Sequence, residues 1–87
     1  MNLTALLQTL TALSGVSGRE ADVCQPLLDL LKPYCPDAAQ VQGNVIGTFG
    51  KRETGKPHVL LDAHFDQVGL IVTYITEEGF VKVGNLG

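Results

Sequence analysis

The sequence predicts an α/β layer pattern, or α+β if the chain is taken as a fragment: two N-terminal helices followed by about five strands. Three observations carry this. Leucines recur at helical spacing through the first third of the chain, and prolines and glycines then interrupt it. From Ala38 onward the vocabulary changes to short runs rich in Val, Ile and Thr. With 87 residues there is room for one small domain, and a domain of that size buries only about two-thirds of its unfolded surface.

Leu3, Leu6, Leu7, Leu10 and Leu13 define the first helix, with Asn2 placed to cap it and Ser14-Gly15 to end it. Ser17 and Glu20 have the S-x-x-E spacing of a capping box, which opens the second helix. Its apolar face is Val23, Leu27, Leu28, Leu30, Leu31 and Tyr34. Pro26 removes one hydrogen bond inside it and predicts a kink or break near Asp22–Pro26, and Pro33 and Pro36 close it. Val41 and Val45–Phe49 flank Gly43-Asn44, a tight-turn pair. Gly50–Pro57 reads as a polar, basic loop at the tip of a second hairpin, and Val59–Ala63 as a buried strand. Val68–Thr76 is a long β-branched run. Glu77-Glu78-Gly79 turns the chain, and Phe80–Val83 returns it. The last strand then runs to Gly87 with nothing to cover its edge, so the chain is expected to be the N-terminal portion of a longer protein.

Composition excludes several function classes. The hydrophobic fraction of 45% argues against disorder, while the absence of Trp leaves a core of aliphatic side chains. A formal charge of −3 with no basic, aromatic-studded stripe argues against a nucleic-acid partner. Polar residues interrupt Leu3–Leu13 and no basic residue precedes it, so neither a signal peptide nor a membrane span is expected, and the default location is cytoplasmic. Cys24 and Cys35 lack the spacing of a zinc ribbon or redox pair and read as two reduced thiols.

The chemistry concentrates in residues 58–69, HVLLDAHFDQVG. If 58–66 is extended, His64 and Asp66 share one face with their α-carbons about 7 Å apart. The carboxylate can then accept a hydrogen bond from one ring nitrogen and leave the other as a lone-pair donor to a metal. A plain Asp–His hydrogen bond in a turn fits the same residues. A catalytic zinc site needs about three protein ligands, and Cys24, Cys35 and His58 have no suitable spacing with His64. There is no G-x-S-x-G, no P-loop and no G-x-G-x-x-G. Glu77-Glu78 is a poor glycosidase pair, since adjacent turn residues point apart whereas glycosidases hold two carboxyls about 5–10 Å apart across the substrate.

Several short elements, in order, resemble the N-terminal segment of the tetrahedral aminopeptidase family, the glutamyl and deblocking aminopeptidases, some of whose members carry endoglucanase labels. They are Ser14-Gly15-Val16-Ser17-Gly18-Arg19-Glu20, Lys32-Pro33-Tyr34, Gly43-Asn44-Val45-Ile46, Ala63-His64-Phe65-Asp66 with Val68-Gly69, and Gly79-Phe80 leading to Leu86-Gly87. The resemblance covers essentially the whole chain. It implies a zinc-exopeptidase-like α/β domain, with residues 1–67 in its N-terminal part and residues 68–87 leading into or beginning a β-rich dimerisation domain.

It further implies a dinuclear metallo-aminopeptidase that takes peptide substrates and assembles, at full length, into dimers or dodecamers. The two metals are zinc or cobalt. His64 is a ligand to one of them and Asp66 is the catalytic acid that orients it. The other ligands and the general base lie beyond Gly87 in the family, so the isolated chain is expected to be inactive. Gln67 departs from the usual Glu after Asp66, which removes a charge and keeps the shape. The opposing readings are a non-catalytic structural or binding module and, further off, an endoglucanase.

Overall fold

The computed structural model describes all of residues 1–87. Helix α1 spans Leu3–Ala12 and helix α2 spans Ala21–Leu31. Strands β1 (Ala39–Val41) and β2 (Asn44–Ile46) form one antiparallel pair, and β3 (Gly69–Ile75) and β4 (Val81–Leu86) form another. The arrangement is a small α+β one with four strands in two separate sheets, in place of the five predicted.

Asn2 caps α1 as the sequence predicts: its side-chain oxygen accepts from the Ala5 N–H at 3.1 Å. The leucine stripe of α1 is only partly covered. Leu6 and Leu10 are half-buried, while Leu3 and Leu7 remain exposed. The predicted Ser17–Glu20 capping box does not form, and Glu20 flanks α2 with no side-chain cap bond. Residues 16–19 instead turn through an Arg19 N–H to Val16 carbonyl bond of 2.8 Å, with Gly18 at φ +90°. Gly15-Val16 is engaged elsewhere in the fold, which draws Ser17 away from the helix end. Helix α2 also runs through Pro26 to Leu31 without the predicted break. Pro26 is only the sixth residue, so the lost bond falls on a first-turn carbonyl, that of Asp22.

The buried core is small. It comprises Gly15, Val23 and Cys24 of α2, and Cys35 and Ala38 just beyond it. Both cysteines are free thiols and both are buried, where each packs as a small apolar side chain. The β1–β2 hairpin packs beside α2, and Gly47 makes the close approach possible. A Cβ at that position would lie 2.7 Å from Cβ of Cys35. The hairpin turn is Gln42-Gly43, at φ +49° and +79°, one residue earlier than predicted. A two-residue turn of this kind needs positive φ at both central positions. Asn44 is therefore a ladder residue opposite Val41, and its side-chain amide donates to the Val41 and Gln42 carbonyls.

Asp37 ties the far end of this hairpin down. Its carboxylate accepts from the Thr48 N–H at 3.0 Å, and this bond, with the Thr48 hydroxyl second, holds its pKa below the ordinary carboxylate value. The folded-state pKa is the lower one. The resulting stability is therefore fully present above the unfolded value of about 3.9 and is lost as pH falls through the folded value. Thermal melts of the wild type are expected to weaken below that window. In Asp37→Asn that part of the acid loss should be missing, and an unchanged acid limb would show that the contact contributes nothing.

Two predicted strand features fail. Val59–Ala63 forms no strand: Val59, Leu60 and Leu61 are 82%, 87% and 91% exposed. A continuous apolar strand needs neighbours on its edges and faces. Within these residues β1 and β2 pair only with each other, as do β3 and β4. For the same reason Gly50–Pro57 is a solvent loop, carrying a Lys56–Glu53 ion pair of 2.8 Å, and not a hairpin tip.

The β3–β4 hairpin does form, in register from Gly69↔Leu86 to Ile75↔Val81 with an irregularity between Val72 and Tyr74. Its turn is the predicted Glu77-Glu78-Gly79, closed by Thr76, whose N–H donates to the Phe80 carbonyl and whose hydroxyl oxygen accepts from the Phe80 N–H. No residue of β3 or β4 is buried. With this hairpin standing apart, the radius of gyration is 17.9 Å, against about 12 Å for a compact chain of this length.

Candidate metal-ligand site

His64 and Asp66 meet as the sequence predicts, although the strand meant to carry them is absent. Nδ1 of His64 lies 2.8 Å from Oδ1 of Asp66 and 3.2 Å from the Asp66 main-chain carbonyl. Both partners are acceptors, and a carbonyl can only accept, so Nδ1 carries the proton and donates. In the neutral ring Nε2 then keeps its lone pair, which is the tautomer a histidine ligating a metal through Nε2 requires. The His64 side chain is 84% exposed and that of Asp66 39%.

The pair stands at the rim of an open groove of about 620 Å³ between the two helices and residues 63–67. The groove is mainly apolar, with Leu6, Leu10, Leu27 and Phe65 in its wall. The position of the pair is fixed by a contact the sequence reading missed. The Gln67 N–H donates to the Gly15 carbonyl at 2.8 Å, and Val16 and Gln67 form an isolated parallel bridge. The available signal was that both partners sit in glycine-containing elements already singled out, Ser14–Glu20 and the segment ending Val68-Gly69.

No three His, Cys, Asp or Glu side chains come together as a metal site. Cys24 and Cys35 are locked in the core, with Sγ of Cys24 3.7 Å from the Gly43 carbonyl, and His58 is exposed in the loop. The donor chemistry of His64 fits one ligand of a divalent metal, and no group of three such donors includes it. Calorimetric titration of the 87-residue chain with zinc or cobalt is expected to show no tight site, because one imidazole is short of the usual three protein ligands. Stoichiometric sub-micromolar binding by the monomer would contradict this. Glu77 and Glu78 lie in the exposed turn between β3 and β4, away from the groove lining.

The description M42 glutamyl aminopeptidase belongs to a family model that matches residues 43–87, just over half of the chain and inclusive of His64 and Asp66. The chain belongs to the M42 family. Curated relatives extend the similarity of this M42 chain to its helices. A protein named "Putative aminopeptidase" from Acetivibrio thermocellus is 34% identical over 84 residues, covering 94% of this chain and 24% of that protein. "Putative aminopeptidase FrvX" from Escherichia coli K12 is 39% identical over 83 residues, covering 94% and 22%. The lysyl aminopeptidase of Pyrococcus furiosus is 32% identical over 85 residues, covering 94% and 23%. The M42 chain thus spans about a quarter of the length of these relatives. No solved structure matches it.

Proposed function

We propose that this M42 chain is the N-terminal portion of a metal-dependent aminopeptidase that removes N-terminal residues from peptides, with His64 as one metal ligand and Asp66 as the acid that orients it. The observation that carries the reading is the pair of acceptors on Nδ1, which leaves Nε2 of His64 as a free lone-pair donor. Aminopeptidase names among the relatives support the reaction class. A divalent metal pair, zinc or cobalt, would supply Lewis-acid activation of the peptide carbonyl and of water. The protein's part, in this segment, is to hold the imidazole in one tautomer and one direction. Asp66 does this through its carboxylate and its main-chain carbonyl, both of which face Nδ1.

In the same reading residues 1–67 belong to the catalytic domain and 68–87 begin a β-rich dimerisation domain, within a cytoplasmic homo-oligomer. The β3–β4 hairpin, with no buried residue, is consistent with a change of structural unit at Val68.

The function is tested on the full-length parent. Free-amino peptides are expected to lose residues from the N-terminus, chelation to stop this, and zinc or cobalt to restore it. A cellulose-type polysaccharide should remain intact. Cleavage of the polysaccharide in place of the peptide, or peptide cleavage indifferent to chelator, would overturn the reading.

A further inference from the structure

Two observations meet at a single peptide unit. The carbonyl of Asp66 accepts from Nδ1 of His64, and the N–H on the other side of the same amide, that of Gln67, donates to the Gly15 carbonyl. A peptide is planar and its C=O and N–H are rigidly coupled, and this chain has no cis bonds. Fixing the direction of the Gln67 N–H therefore fixes the direction in which the Asp66 carbonyl faces the imidazole.

The anchor for that N–H is itself gripped from both sides. Gly15 is buried and packed so closely on Val23 of α2 that a Cβ there would overlap the valine methyl Cγ2. Val23 is 2% exposed. On the other side, Cγ1 of Val16 occupies the space where a Cβ on Gly69 would sit. Gly69 does not have positive φ, so its backbone accepts any residue and the restriction is one of space alone.

We propose that Gly15, Val16 and Gly69 form a clamp on the Asp66–Gln67 peptide that sets the orientation and tautomer of His64, with Val16 and Gly69 as positioning residues for the metal ligand. This rests on the reading of His64 as a ligand. The clamp transmits the position of α2 to a histidine that is otherwise open to solvent. It also gives the pair an anchor in the absence of a strand beneath it. The carboxylate contact alone would let the ring and its acid swing together, whereas the peptide contact ties both to the helix layer.

The test uses the full-length parent protein with zinc affinity, measured by competition against a chromogenic chelator, as the primary readout. Wild type, Gly69→Ala, Val16→Ala/Gly69→Ala and His64→Ala are compared, with kcat, KM and thermal melting recorded for each. Gly69→Ala is expected to weaken zinc binding about ten-fold or more, as losses of ligand-orienting contacts do, and to lower kcat more than it raises KM. The double variant removes the obstructing methyls and leaves only the Val16 Cβ, at 3.2 Å from the new atom. It is expected to recover zinc affinity and kcat.

The same recovery supports the clamp if Gly69→Ala alone fails to fold. Wild-type zinc affinity in Gly69→Ala overturns the clamp, and so does a double variant that recovers neither folding nor affinity. His64→Ala separates the two levels. If it binds zinc like the wild type, the ligand reading falls and the clamp with it. If it loses zinc while Gly69→Ala does not, the clamp alone falls.

Discussion

His64→Ala in the full-length parent is expected to lower kcat/KM for a free-amino aminoacyl substrate by more than about 100-fold, because losing a contact that merely orients a metal-bound histidine already costs 10–100-fold. Metal content per subunit should fall with it. Nδ1 is committed to two acceptors of Asp66, so Nε2 is the ring nitrogen of His64 left to meet a metal. Alanine removes that donor and leaves the backbone untouched. Asp66→Asn should do less, because the amide oxygen still accepts from Nδ1 and the main-chain carbonyl is unchanged; a loss inside the 10–100-fold range is expected there. Full turnover with full metal occupancy in His64→Ala would remove the residue from the site.

Val23→Asp should abolish the cooperative folding of residues 1–48. Val23 is 2% exposed and packs on Gly15 at the centre of a core of only five buried residues. An unpaired carboxylate at such a place costs about 3–5 kcal/mol, against about 5–15 kcal/mol for the entire stability of an ordinary domain. This chain buries far less than an ordinary domain, so the cost exceeds what its core can offset. Circular dichroism melts report the outcome, with Asp22→Ala as the control. Asp22 is the neighbouring residue, its ion pair with Arg19 is largely solvent-exposed, and such pairs contribute at most about 1 kcal/mol. A sharp, unshifted transition in Val23→Asp would show that α2 does not organise the fold.

The features that residue type foretold and those it did not differ in the range of the interactions behind them. The Asn2 cap joins residues three apart, the His64–Asp66 bond residues two apart, and the Glu77-Glu78-Gly79 turn closes within five residues. Backbone geometry over such distances leaves few alternatives, so residue type and spacing suffice. Two of the failures depended on distant partners. Val59–Ala63 has the composition of a buried strand, yet no element in these residues pairs with it. Ser17-x-x-Glu20 has the spacing of a capping box, but Gly15-Val16 is held by Gln67 and Gly69, and the intervening turn is used up in reaching them. The one-residue error at Gln42-Gly43 is of a third kind. Glycine identified the turn, and only the ladder of Asn44 with Val41 set its register.

For this protein the sequence by itself determined the family, the chemical pair and the local punctuation of the chain. These are properties of residue identity at short spacing, and they persist whatever surrounds them. Only the tertiary structure decided that the apolar run before the histidine stands unpaired, and that the pair is held instead by a peptide bridging to the loop before α2. A hydrogen bond between Gly15 and Gln67 depends on where two remote segments come to rest. That position follows from packing around Val23, which no local pattern encodes.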